Sequence, residues 1–201
     1  MKKHLLLILA LLIAGATSAQ ISFGIKGGGN ISNIIKTDDP NFTTTYKPGF
    51  NAGVFAEVHL VSLLSFEPEL LYSTKGYAAH VYYGQMEQRT DFIDIPLLAK
   101  FRFSPGFSLL VGPQVSFLLS TKNTYSNGIT TTIQQQYEND ASRFKKNLID
   151  GVIGVRFAMG NNVDLEGRYT LDLQQNNTDG TSQTPQFRNQ GFQLGIAFKA
   201  F

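Results

Sequence analysis

Apolar and polar residues alternate with a period of two in eight separate segments of this 201-residue sequence. One side of each segment is almost purely aliphatic and aromatic, whereas the other side carries small, polar and charged residues. Successive side chains of a β-strand point to opposite faces, so this alternation predicts strands with one apolar and one polar face. The segments are residues 21–26, 50–58, 66–73, 93–103, 107–120, 149–157, 163–172 and 192–199.

The connections between these segments are alternately short and long. Outer-membrane barrels combine short periplasmic turns with long outer loops, and a tilted membrane strand needs about 9–11 residues. The sequence therefore predicts an all-β fold, an eight-stranded antiparallel up-and-down transmembrane β-barrel. The short connections are 61–64, 104–106 and 160–162, and the long polar ones are 32–47, 76–90, 121–146 and 174–190.

Two other β-architectures compete with this prediction. A soluble lipocalin-like barrel would have an apolar interior and a wet exterior, but here charges are concentrated on one face of the strands and loop lengths divide cleanly. The dipeptide Asn127-Gly128 is a strong hairpin signal and raises a ten-stranded barrel as an alternative. Because residues 130–136 are too polar to face lipid, we expect a hairpin that protrudes from the membrane instead.

Aromatic residues on the apolar faces fit the belts that flank the lipid-facing band of such barrels. They are Phe50, Tyr72, Phe101, Phe103, Phe107, Phe157, Tyr169 and Phe192.

The N-terminus predicts export from the cytoplasm. A two-lysine head, an apolar run over residues 5–14 and small residues before Gln20 form the pattern of a secretory signal peptide. We predict a cleaved signal peptide at 1–19 and a barrel domain at 20–201. Removal of the two lysines leaves 15 basic and 15 acidic residues, so a nucleic-acid partner is not expected. The absence of Cys excludes disulfides and thiolate metal sites.

The polar faces carry nearly balanced charges, which favours a lumen filled by ion-paired side chains over an ion-selective pore. The inward acids are Glu57, Glu67, Glu69, Asp94, Asp150, Asp164, Glu166 and Asp172, and the inward bases are Lys26, Lys75, Lys100, Arg102, Arg156, Arg168 and Lys199. The predicted structural network consists of Glu57, Glu67, Glu69, Lys100, Arg102, Arg156, Asp164, Glu166 and Arg168. Within it we expect Arg156 opposite Asp164, and Glu67 and Glu69 level with Lys100 and Arg102.

Catalytic and cofactor motifs are weak in this sequence. Beyond the predicted signal peptide the chain has two histidines, His59 and His80, far apart and without the Ser and acid that a hydrolase site needs. The run Gly27–Gly29 lies within a strand with no helix after it, so it indicates close strand packing and not a nucleotide loop. No cofactor or metal is expected, and the chain is not expected to be an enzyme.

Several segments, taken in order, resemble the PorT-type outer-membrane barrel proteins of Bacteroidota. The similarity is carried by "GIKGGGNIS", "PGFNAGVFAEV", "FEPELLYSTKG", "IDIPLLAKFRF", "GPQVSFLL", "GVIGVRF" and "GFQLGIAFKAF". This resemblance implies an eight-stranded barrel with no assigned chemistry.

We therefore expect a monomeric protein of the cell outer membrane, in contact with outer-membrane lipid, that acts as a structural or binding protein. Its long outer loops are the expected surface for an extracellular ligand or protein. The alternatives are a small-solute pore and an outer-membrane lipid-modifying enzyme.

Overall fold

The computed structural model describes residues 21–36, 44–81, 84–126, 131–137, 147–175 and 187–200. The predicted signal peptide lies outside these residues. The described strands are β1 Ile21–Lys36, β2 Thr44–Val61, β3 Leu64–Val81, β4 Gly84–Ser104, β5 Phe107–Ser126, β6 Thr131–Tyr137, β7 Asn147–Ala158, β8 Val163–Asp172 and β9 Phe187–Lys199. The described part of the chain contains no helix that is long and apolar enough to cross a membrane.

The strands form a closed antiparallel ring. The sheet order is β4-β3-β2-β1-β9-β8-β7-β5-β6, and an additional pairing of β4 with β5 closes it. The strand β6 pairs with the upper part of β5, from Ser120 to Ser126, whereas β7 pairs with its lower part, from Phe107 to Phe117. Since β6 and β7 run in one direction along β5, they share a single position in the ring. The barrel is therefore eight-stranded, as predicted, and the ten-stranded alternative is wrong.

The predicted alternation matches the burial of side chains along the ring. On β4, Leu97 is 40% exposed while its neighbour Leu98 is fully buried. The strand β1 follows the same rule, because Phe23 and Ile25 are exposed and Lys26 is buried. A barrel that exposes large apolar side chains around its wall and buries charges inside has the polarity of a membrane barrel.

The outward face of β4 shows where the barrel leaves the lipid. From Ile93 to Phe103 the alternate outward residues are apolar, which gives the length that a tilted membrane strand needs. Beyond Asp91 the outward residues are polar, and the pairing with β5 has an irregularity between Asp91 and Phe92. The strands then continue above this boundary as hairpins in water.

Two of the predicted long loops were wrong for this reason. The segment predicted as loop 32–47 contributes to β1 and β2, and the segment 76–90 is mostly β3 and β4, which leave only residues 82–83 between them. These extensions do not alternate regularly between apolar and polar residues, so the pattern that marks a membrane strand disappears although the backbone pairing continues. The predicted hairpin after β5 is confirmed by the β5–β6 pairing, while its tip, 127–130, lies outside the described residues.

The predicted aromatic belts are present as ring contacts on the barrel surface. Near the short turns, Phe107 lies 6.1 Å from Phe103 and 5.2 Å from Phe157 between ring centroids. Toward the outer end, the corresponding centroid distances are 5.8 Å for Phe50 with Tyr72 and 5.0 Å for Tyr169 with Phe192. Aromatic rings at both ends of the apolar band fit the two membrane–water interfaces.

Glycines of β1 allow the barrel to close. A Cβ atom on Gly28 would lie 2.2 Å from the carbonyl oxygen of Leu194 on β9, and one on Gly24 would lie 2.4 Å from that of Phe198. The first and last strands therefore approach too closely for a side chain at these positions, in agreement with the packing role predicted for the glycine-rich strand.

Candidate functional site: the charged lumen

Most of the charged side chains that alternation directs inward are buried in the barrel. The eight acids and five of the seven bases are each at most 8% exposed. The side chains of Arg102 and Lys199 are more accessible, at 37% and 23%, because both lie at the short-turn end. The buried groups form three layers along the barrel axis.

The middle layer is centred on Arg156 of β7. Its guanidinium donates from Nη1 to Glu67 Oε2 at 2.7 Å and from Nε to Glu166 Oε2 at 2.8 Å. Glu67 lies on β3, across the lumen from β7, so the Arg156 side chain links opposite walls of the barrel. The arginine also lies over the ring of Phe55, 5.5 Å from its centroid.

Two more cations complete the middle layer. Arg168 of β8 donates from Nη1 to Glu69 Oε2 at 2.8 Å and also contacts Glu166. Lys26 of β1 donates from Nζ to Glu166 at 2.6 Å and to Glu69 at 3.2 Å. Three carboxylates therefore face three cations, and each carboxylate accepts from at least one of them.

The lower layer, next to the short turns, is organised around Glu57. Its carboxylate oxygens lie 2.8 Å from Lys100 Nζ, 3.3 Å from Arg102 Nη2 and 3.9 Å from Lys199 Nζ. Lys199 Nζ lies nearer to Asp164 Oδ2, at 3.1 Å. This layer contains three cations for two carboxylates.

The upper layer has the opposite imbalance. Lys75 Nζ lies 3.3 Å from both Asp94 and Asp150, and Asp172 is the direct cross-strand neighbour of Asp150. Neutral donors assist: Ser116 donates its hydroxyl to Asp150 at 2.6 Å. One lysine therefore lies among three buried carboxylates. The nearly equal total numbers of inward acidic and basic residues in the sequence do not reveal this local excess of acids.

The predicted pairings within the network were partly wrong. Arg156 is opposite Glu166 in the β7–β8 register, whereas Asp164 is opposite Ala158 and its oxygen lies 3.9 Å from Arg156. The observed partner of Arg156 lies two residues beyond the predicted one, because the β7–β8 register is centred on Asn161 whereas the predicted pair implies a turn centred on Gly160.

The prediction that Glu67 and Glu69 lie at the same depth in the barrel as Lys100 and Arg102 is also wrong. Lys100 is opposite Ser65 and bonds to Glu57 on β2, and its Nζ is 4.0 Å from Glu67. Because the strands of a barrel are tilted and staggered, side chains that point inward meet partners across the lumen more readily than those at equal distance from a turn.

Apolar residues fill the space that the charges leave. Leu98, Leu110 and Val152 form one buried cluster, and Phe92, Leu118 and Leu148 form another. Nearer the outer end, Ile34, Tyr77, Ala79 and Met86 are all at most 4% exposed. The interior of the described barrel is therefore packed with side chains over most of its length.

The carboxylates of the middle layer also have the spacing of a metal site. Single oxygens of Glu67, Glu69 and Glu166 lie within 4.8 Å of one another. However, Arg156, Arg168 and Lys26 already bond to these oxygens, so a metal ion would have to displace a guanidinium or ammonium group. The cluster fits an ion-paired core better than a cation site.

Near the short turns, His59 Nε2 is 3.4 Å from Glu57 and 3.0 Å from Arg102 Nη2.

Comparison with known proteins places this architecture. A family described as "Outer membrane protein beta-barrel domain" matches residues 16–177. The crystal structure of Neisserial surface protein A is similar with a TM-score of 0.53 at 14% identity, covering 89% of this chain and 98% of that one. Ail, the attachment invasion locus protein of Yersinia pestis, has a TM-score of 0.50 at 11% identity, covering 89% and 97%. These identities show a shared fold, and no curated protein matches the chain.

Proposed function

The chain belongs to the outer membrane protein beta-barrel domain family and resides in the outer membrane; from that premise we propose that it is a non-conducting, non-enzymatic barrel that presents its outer hairpins for binding. The observation that carries this proposal is the closed lumen. Arg156 connects β7 to Glu67 on the opposite wall, and the apolar cluster of Leu98, Leu110 and Val152 fills the adjacent space. An eight-stranded interior is only wide enough for side chains to fill it.

The outer hairpins are the proposed working surface. The strands β4 and β5 are 21 and 20 residues long, about twice what the membrane requires. Their upper parts extend the sheet into water, with Gln85, Glu87 and Arg89 exposed on β4 and Ile133 exposed at 57% on β6. A rigid barrel that supports long β-hairpins suits recognition of an extracellular ligand or protein, since binding residues are often held on extensions of a stable scaffold.

Planar bilayer recording tests the closed lumen. We expect no steady unitary current from the purified protein, because ions would have to pass the bonded middle layer. Reproducible unitary currents whose ion preference changes on replacement of Lys100 would instead support the alternative of a small-solute pore. The variant Lys47→Gln, at the outer surface, is the matched control and should leave the recording unchanged.

Deletion of residues 125–136 tests the outer hairpins as a working surface. The remaining barrel should still fold, which is checked by the shift in electrophoretic mobility between heated and unheated samples. We expect expression of the intact protein to increase the adherence of cells to a surface, and the deletion to abolish that increase. Equal adherence of both strains would contradict this assignment.

A lipid-A mass profile tests the non-enzymatic part of the proposal. The carboxylates of the middle layer are engaged by guanidinium and ammonium groups, so they are poorly disposed to act as acid or base. We expect identical lipid-A species with and without the gene. A species that disappears in the deletion strain and returns on complementation would favour the lipid-modifying alternative.

The narrower affinity to PorT-type barrels of Bacteroidota is also proposed, on the ordered set of segments from "GIKGGGNIS" to "GFQLGIAFKAF". A phylogenetic tree of such barrels tests it: the chain should branch with the PorT-type sequences.

A further inference from the structure

A cavity of about 540 Å³ opens at the short-turn end of the barrel and is lined in part by the lower charged layer. Its wall includes Arg102, Lys199 and Asp164 together with the turn residues Pro105 and Gly106. Because short turns face the periplasm in outer-membrane barrels, this vestibule faces the periplasm as well. Its volume is in the range of pockets that hold small molecules.

The vestibule has a surplus of positive charge. The lower layer combines Lys100, Arg102 and Lys199 with only two carboxylates, those of Glu57 and Asp164. Arg156, which also forms part of the cavity wall, does not add to this surplus, because its charge is balanced by the middle-layer carboxylates to which it donates. The low-dielectric wall strengthens the field of these cations at the opening.

The two accessible cations are also well placed to contact a solute. Arg102 directs Nη2 toward Glu57 at 3.3 Å and toward His59 at 3.0 Å, which leaves other donors of a five-donor guanidinium for a ligand. Lys199 is 3.1 Å from Asp164, and 23% of its side chain is exposed. Both side chains also line the cavity, so an oxyanion bound in the cavity can contact both of them.

We propose that this vestibule binds small periplasmic solutes that carry an oxyanion, either a carboxylate or a phosphate group. The anion contacts the Arg102 guanidinium and the Lys199 ammonium group from the cavity side, and the rest of the solute occupies the cavity. The site binds without transporting, because Arg156 and the layer above it close the barrel. This inference concerns the end of the molecule opposite to the outer hairpins and does not depend on their role.

Solution NMR of the ¹⁵N-labelled full chain in detergent micelles tests the proposal at constant ionic strength. The probes are inorganic phosphate, N-acetylalanine and the neutral amide of N-acetylalanine. We expect saturable shifts of the Gly106 amide signal, in the turn that lines the cavity, with at least one anion and none with the amide. The stronger probe distinguishes a phosphate-bearing from a carboxylate-bearing solute.

Substitutions then locate the site. Arg102→Gln should weaken anion binding about tenfold, the loss expected for one charge-assisted contact. Arg89→Gln, at the outer end of the same strand, is the matched control and should leave the affinity unchanged. Lys199→Gln provides a second variant in case Arg102→Gln assembles poorly. No saturable shift with either anion, or equal losses in Arg89→Gln and the two vestibule variants, would overturn the proposal.

Discussion

Replacement of Arg156 by Met should destabilise the barrel more than any change at its water-exposed surface. The substitution keeps an apolar stem against Phe55 but removes the bonds to Glu67 and Glu166. Glu166 retains Arg168 and Lys26 as partners, whereas the nearest remaining cations of Glu67 are Lys100 and Arg168, each at 4.0 Å. Removal of one partner from a buried ion pair costs about 3–5 kcal/mol, and we expect a loss in that range.

Urea unfolding in lipid vesicles measures this loss, and a double-mutant cycle assigns it. The double variant Arg156→Met with Glu67→Gln should recover a large part of the loss, because the uncompensated carboxylate is removed. The cycle of Arg156→Met with Asp164→Asn should show weaker coupling, since those groups are 3.9 Å apart.

Arg89→Met is the surface control for this cycle. Arg89 Nε is 3.5 Å from Asp91 Oδ1, and the Arg89 side chain is 49% exposed. Removal of this surface ion pair should therefore lower the free energy of unfolding by about 0–1 kcal/mol. A loss for Arg156→Met no larger than that of Arg89→Met, or the absence of coupling with Glu67→Gln, would refute the role of Arg156 as the link between opposite walls.

Two further predictions concern the lipid face and the closure of the ring. Leu97→Arg, on the lipid-facing side of β4, should lower the free energy of unfolding by about 2–4 kcal/mol. Gln85→Arg, on the same face above the membrane boundary, should be nearly neutral, and equal effects in vesicle unfolding would contradict the boundary at Asp91. Gly28→Ala should impair folding because its Cβ would meet the Leu194 carbonyl oxygen at 2.2 Å, whereas Gly29→Ala has no atom nearer than 4.0 Å; equal folding yields would count against this closure.

The sequence was sufficient to predict the number of membrane strands and which side chains face the lipid. On β4, for example, Leu97 and Leu98 are adjacent and equally apolar, yet the surrounding alternation assigned one to the exterior and the other to the lumen, as the structure shows. This success has a simple cause. The lipid and the lumen impose different polarities on the two faces, and side-chain direction alternates strictly along a strand.

The ends of the strands could not be predicted in the same way. Above the membrane both faces of β4 carry polar residues such as Gln88 and Arg89, and the upper part of β3 contains the run Gly-Tyr-Ala-Ala, so neither strand shows the contrast between faces that marks a lipid-facing segment. Backbone hydrogen bonds still hold these hairpins together, but they leave no trace in the pattern of hydrophobicity. The sequence pattern therefore predicts where the strands leave the lipid but not where the sheet ends.

The ion-pair partners within the lumen could not be predicted from the sequence either. Which carboxylate meets Arg156 depends on the stagger of strands around the closed ring and on the reach of long side chains across it. The β7–β8 turn alone shifted the partner from Asp164 to Glu166, and the bond to Glu67 joins residues 89 positions apart. Alternation selects the residues that face inward, and only the closed barrel selects which of them pair.

The distribution of charge also explains how a polar lumen can remain closed. Leu98 is directly opposite Glu67 in the β3–β4 register, so the apolar cluster of Leu98, Leu110 and Val152 borders the ion-paired middle layer. Within the middle layer each carboxylate has close cations, which offsets the cost of removing these carboxylates from water. The rest of the cross-section is then filled by leucine and valine. A water-filled path would require either disruption of the Arg156 bonds or a gap among these apolar side chains, and the energetic cost of both supports the proposal that the barrel does not conduct.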